Sequence, residues 1–223
     1  MGGVLTDITF ILDRSGSMAG LVDDTIGGFN TFLAEQKKVA GAANVTLVSF
    51  ADGAATVYAG RPLADAPPLT RETYSPSGNT ALYDAICETV DAAGSRFAMM
   101  PESERPGMVM VVIITDGEEN HSRKFSREDV FQRITTQQDV YKWTFLFLGA
   151  NQDAFKAAGA MGIPQNLAAS YSASAAGVAA SYGSVSKKAA GARHVYLVSG
   201  AVRANENLRD IDLQKSVREH EKR

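Results

Sequence analysis

Five oxygen-bearing side chains stand where apolar runs of this chain end or helical patterns begin. ITFILDRSGSM, residues 8–18, places Asp13, Ser15 and Ser17 directly after an apolar run. SGNTAL, residues 77–82, places Thr80 ahead of a helical pattern, and the apolar run MVMVVII at 108–114 is followed by Thr115, Asp116 and Gly117. Two carboxylates and three hydroxyls offer oxygen only; no His or Cys belongs to the set. Hard divalent ions prefer such donors, Mg²⁺ above all with Mn²⁺ or Ca²⁺ as alternatives, and Mg²⁺ keeps several of its waters. So few direct carboxylates would leave an ion electron-poor and open to one more carboxylate from outside. Each fragment alone has an ordinary use: DRSGS as a capping turn, Thr80 as a helix cap, Asp116 as a turn residue before Gly117.

The neighbouring GEENHS at 117–122 adds Glu118, Glu119 and His121. A hydrolase would draw its general base from this loop and use the ion to activate water. The preferred reading is a solvated rim around the ligand, with no enzymatic activity. No G-x-S-x-G elbow precedes a helix, and no P-loop or G-x-G-x-x-G follows a strand. Ser15 stands where a haloacid dehalogenase-type phosphatase needs its second Asp.

The elements that must hold these residues alternate. Short apolar runs at 8–12, 45–50, 108–114, 143–148 and 195–198 are mostly continuous and rich in β-branched or aromatic residues, as strands buried on both faces are. ATVYAG at 55–60 follows the second run across the link ADGA and reads as an antiparallel edge strand in a hairpin. Val22, Ile26, Phe29 and Leu33 form one helical stripe, and Leu82, Ile86, Val90 and Ala93 another. Gly27 and Gly28 inside the first helix point to close packing. Ser126 with Glu128 and Asp129 marks a third helix start. Asn151 is expected to cap a short helix carrying Ala154, Phe155 and Ala158, and residues 173–191 show a weaker helical spacing. PLADAPPLT at 62–70 reads as a surface loop, and Trp143 as core. Strand alternating with helix predicts an α/β sandwich: a mostly parallel central sheet, one antiparallel edge strand and helices on both faces. In such a sheet, ligands bind at the carboxyl ends of the strands, where the strand order reverses. All three motif segments should meet there.

Composition limits the partners. A chain of 223 residues that is 45% hydrophobic builds its own core. The net charge of −3, without a basic block, disfavours nucleic acid. The longest apolar run is too short to cross a bilayer, so no membrane partner is expected. Cys87 is the only cysteine, which fits a reducing, cytoplasmic setting. The domain is expected to span residues 1–203, followed at 204–223 by a charged tail or solvated terminal helix. That tail offers a route to an oligomerising scaffold; the sequence does not fix the oligomeric state.

DRSGS, then GNTAL, then TDG resembles the three-part metal ion-dependent adhesion site of von Willebrand factor A (vWA) domains, over roughly residues 4–200. The chain looks most like the small, stand-alone intracellular members of bacteria and their phages. The resemblance implies a vWA three-layer fold and direct ligation of the metal by Ser15, Ser17 and Thr80. It implies that Asp13 and Asp116 act mainly through water or by orienting the hydroxyls. It also implies that an Asp or Glu of a protein partner completes the coordination.

Overall fold

A computed structural model describes residues 5–150 and 153–222. Its sheet has six strands: β1 (Thr6–Asp13), β2 (Ala43–Phe50), β3 (Ala54–Pro62), β4 (Met108–Thr115), β5 (Thr144–Ala150) and β6 (Ala168–Tyr171). The order is β3-β2-β1-β4-β5-β6, parallel throughout except for the β2–β3 hairpin. The helices are α1 (Val22–Gln36), α2 (Leu82–Met99), α3 (Arg127–Asp139), α4 (Ala154–Ala160), α5 (Ala175–Arg209) and α6 (Leu213–Glu221). The chain leaves β1 for β2 on one side and later returns as β4 on the other. The order therefore reverses between β1 and β4, which opens a crevice beyond their carboxyl ends.

The continuous apolar runs behave as expected of central strands: β1 and β4 are buried along their whole length, while the edge strand β3 is largely exposed. Alternation sorts β1 between two helical layers. On one face Phe10 meets Phe29 and Phe32 of α1 edge-on and lies parallel to Tyr182 of α5. On the other, Asp7 receives Arg96 of α2 at 3.0 Å. Burial pushes the Asp7 carboxyl up, and the Arg96 guanidinium opposes that rise. Trp143, one residue before β5, is buried between Phe97 and Phe145. Ser126 caps α3 in a reciprocal box with Asp129.

Several expectations need correction. Residues 195–198 form no strand; they lie inside α5. Val198 and Leu197 are exposed there, while the buried positions Val178, Tyr182, Val185, Ala189, Ala192 and Tyr196 continue a helical spacing that overrides the local β preference. The sixth strand is instead Ala168–Tyr171, a short AASY run with little β-branched signal. The helix expected over 173–191 runs on to Arg209, broken at Gly200, where φ is 82°. The stretch 62–70 is only partly surface: Pro62 ends β3, a 3₁₀ turn follows, and Leu63, Ala66 and Leu69 are buried. The Asn151 cap lies outside the described residues; Asp153 caps α4 by accepting the Lys156 N–H at 3.1 Å.

Residues 204–222 complete α5 and form α6, which is docked rather than solvated: Leu213 and Val217 are buried. Among the described residues no helix is long and apolar enough to cross a membrane.

The two glycines of α1 differ sharply. A Cβ on Gly28 would fall 2.3 Å from the Tyr182 ring, whereas one on Gly27 would meet nothing within 4 Å. Gly28→Ala is expected to cost about 1–3 kcal/mol by overpacking, while Gly27→Ala gains up to about 1 kcal/mol of helix propensity. Urea denaturation of the two variants side by side checks the contrast.

Candidate metal centre

The structure gathers the five sequence-selected residues at the β1/β4 crevice. Asp13 is the last residue of β1; Ser15 and Ser17 lie in the turn that follows; Asp116 comes directly after β4; Thr80 stands two residues before α2. Ser17 Oγ donates to Asp116 Oδ1 at 2.6 Å and lies 3.1 Å from Ser15 Oγ. Asp13 Oδ1 accepts the Ser15 N–H at 2.7 Å, and Asp13 Oδ2 accepts the Thr115 hydroxyl at 2.5 Å. A Cβ on Gly117 would lie 3.3 Å from Thr80 Oγ1 and 3.8 Å from Ser17 Oγ, so this glycine keeps a pocket of oxygens open.

The ordinary uses of the fragments are not what the geometry shows. Ser15 precedes a 3₁₀ turn, yet its side chain makes no capping hydrogen bond. Thr80 does not cap α2: the N-cap is Ala81, and the first helical N–H groups are taken by Glu119 and Ser122. Thr80 is 3% exposed, and its hydroxyl makes no hydrogen bond among the described residues. That hydroxyl borders the same opening as Ser17 Oγ, next to Gly117, so it adds an oxygen to the cluster rather than to a helix end. Two acids, two serines and a threonine whose hydroxyl borders them offer oxygen donors alone, which fit a hard divalent cation. Among the described residues no group of three His, Cys, Asp or Glu gathers, so any ligand set here must draw on hydroxyls, carbonyls or water besides the carboxylates.

The supports come from residues whose roles the sequence did not announce. Glu119, considered above as a general base, is fully engaged. Its carboxylate accepts the N–H groups of Tyr83, His121 and Ser122 at 3.0, 2.9 and 2.7 Å, and the Ser122 hydroxyl at 2.8 Å. Asp84 on α2 accepts the N–H groups of Arg123, Lys124 and Phe125. Together they lace the loop after Asp116 onto the first turn of α2. Asp52 holds Asn79 through its N–H and its amide, at 2.9 and 2.8 Å, which fixes the approach to Thr80. Only Thr115 carried a signal: a hydroxyl residue closing an apolar strand beside Asp116.

Electrostatics follow from burial. Desolvation pushes the Asp13 carboxyl up, opposed by the Thr115 hydroxyl and the Ser15 N–H, with Asp116 adding to the rise. Desolvation also raises Asp116, opposed by the Ser17 hydroxyl. Two nearby carboxyls with raised values form a site that a cation would relieve.

Comparison with known proteins supports the architecture alone. No protein-family model and no curated protein matches the sequence. Solved structures do match. A von Willebrand factor type A protein from Catenulispora acidiphila superimposes with TM-score 0.54 at 17% identity, over 85% of this chain and 43% of that one. The fold is that of a vWA domain. Proximal thread matrix protein 1 from the mussel byssus, in a structure with a zinc-occupied MIDAS motif, gives TM-score 0.56 at 16% identity, over 85% of this chain and 46% of that one. The D319A mutant of the PilB minor pilin from Streptococcus sanguinis gives 0.58 at 11% identity, over 90% and 64%. This chain thus spans less than half the length of the first two and under two thirds of the third.

The raised Asp116 carboxyl has a definite pH signature. Its folded form keeps its proton to higher pH than the unfolded chain, so its contribution to stability is complete below about pH 4 and is lost as pH climbs through the raised value. Asp116→Asn removes that titration while keeping an acceptor for Ser17. In chelator, the variant's stability relative to wild type is expected to improve between about pH 4 and pH 7, read by urea unfolding. A difference that stays constant with pH contradicts the assignment.

Proposed function

We propose that the chain is a metal-dependent protein-binding module and not an enzyme. It holds Mg²⁺, or Mn²⁺ or Ca²⁺ in its place, at the β1/β4 crevice. The single observation that carries this reading is the convergence of Asp13, Ser15, Ser17, Thr80 and Asp116 from three segments into one oxygen cluster. That a structure of the same fold, the mussel protein, holds zinc in its MIDAS motif supports a divalent ion here as well. Ser15, Ser17 and Thr80 would contact the ion through their hydroxyls. Asp13 is buried and committed to Ser15 and Thr115, which suits orienting the loop; Asp116 holds Ser17. When bound, the ion supplies an electrophilic position able to take a carboxylate from a partner protein.

The surroundings favour capture over hydrolysis. Glu119 already accepts four hydrogen bonds and is not available as a base. Ser17 is exposed at the mouth, where an incoming acidic side chain would arrive. A scaffold built through the charged end finds less support, because the apolar side of α6 is already buried against its own domain.

Ser17→Ala, Thr80→Ala and Asp116→Ala are each expected to weaken Mg²⁺ binding about ten-fold or more by titration calorimetry while still unfolding cooperatively in chelator. Unchanged Mg²⁺ affinity in all three removes the basis of the reading. Once a protein partner is captured, chelator should release it, and Mg²⁺ should restore it.

A further inference from the structure

The connection that delivers Thr80 also braces the loop carrying Ser15 and Ser17. The β1–β4 pairing ends at Leu12 and Ile114, so the Asp13 carbonyl lies beyond the last paired residue on that side. A buried carbonyl without a donor is costly. Tyr74, fully buried in the connection between β3 and α2, donates its phenol to that carbonyl at 2.6 Å. Two backbone bonds continue the seam: the Ser77 N–H donates to the Arg14 carbonyl at 2.8 Å, and the Gly16 N–H donates to the Gly78 carbonyl at 3.1 Å. The segment 74–78 therefore runs alongside 13–16, and Tyr74 adds a buried side-chain bond to the seam.

We propose that Tyr74 is a positioning residue of the metal centre: its hydroxyl fixes the Asp13 carbonyl, and through it the angle at which the 14–17 turn presents Ser15 and Ser17. The inference rests on the metal-site reading above. It extends that reading to a residue six positions before Thr80, so that one segment presents a hydroxyl donor and braces the loop that presents the others. A neighbouring phenol supplies an internal control. Tyr182 of α5 is as deeply buried and lies within electrostatic reach of Tyr74, yet its hydroxyl finds no hydrogen-bond partner among the described residues. The two tyrosines share size, burial and neighbourhood and differ in whether the hydroxyl holds the metal loop.

The test compares Tyr74→Phe with Tyr182→Phe in the whole chain, with two readouts. Mg²⁺ titration calorimetry is expected to show about a ten-fold loss of affinity in Tyr74→Phe and less than a two-fold change in Tyr182→Phe. Amide spectra of the metal-free protein are expected to show shifted or broadened Arg14, Ser15, Gly16 and Ser17 signals in Tyr74→Phe only. Wild-type Mg²⁺ affinity in Tyr74→Phe, or an equal loss in both variants, overturns the proposal. Should the wild-type protein bind no Mg²⁺, the metal-site reading fails. The amide spectra then judge the bracing separately, since an undisturbed 14–17 turn in Tyr74→Phe rejects it without reference to metal.

Discussion

A carboxylate buried between two strand ends organises the rest of the site. Asp13 accepts the Ser15 N–H with one oxygen and the Thr115 hydroxyl with the other, so it joins the loop after β1 to the end of β4. Neither bond is available to an exposed side chain in competition with water. Burial that raises the Asp13 carboxyl thus also makes its two bonds strong enough to set loop geometry. Without this bridge, the serine-bearing turn and Asp116 would belong to separate loops with no common centre.

The same logic is repeated around the crevice. Glu119 and Asp84 spend their carboxylates on backbone N–H groups of a loop that has no sheet or helix to satisfy it, and Asp52 does so for the turn before Thr80. Asp84 is buried, Glu119 half-buried and Asp52 exposed, yet each is committed to backbone N–H groups, so little carboxylate is left free to point at the crevice. Hydroxyls are left to face it. Neutral donors hold an ion loosely enough for an external acid to compete for it, whereas a ring of free carboxylates would neutralise the ion and repel that acid.

The sequence revealed the parts that local chemistry determines. Continuous apolar runs identify β1, β2, β4 and β5 because both faces of each are covered. The DRSGS, Thr80 and Asp116 fragments were visible because a strand ending in several short oxygen side chains has few structural uses. What stayed hidden depends on distant partners. The AASY stretch becomes β6 because β5 offers an open edge beside it, and VYLV becomes helix because α5 is already propagating through it. Tyr74 sits in a proline-rich connection with no motif around it; only its contact with a carbonyl 61 residues earlier gives it a role.

The outer edge of β6 carries a consequence for where a partner can bind. Gln214 of α6 accepts the Ser170 N–H at 2.8 Å and donates to the Ser170 carbonyl at 3.2 Å, filling the place of a peptide group on a neighbouring strand. Leu213 and Val217 bury the helix beside it, so this edge is closed to strand addition. At the opposite edge, Pro62 closes β3 without an N–H to offer, and register shifts interrupt its pairing with β2. Sheet edges are the usual place where an α/β domain captures an extended peptide through backbone alone. With one edge occupied and the other irregular, the carboxyl end of the sheet is the face left for the proposed recognition. There side chains rather than main-chain groups are presented, which is where the proposed capture of a partner's carboxylate would take place.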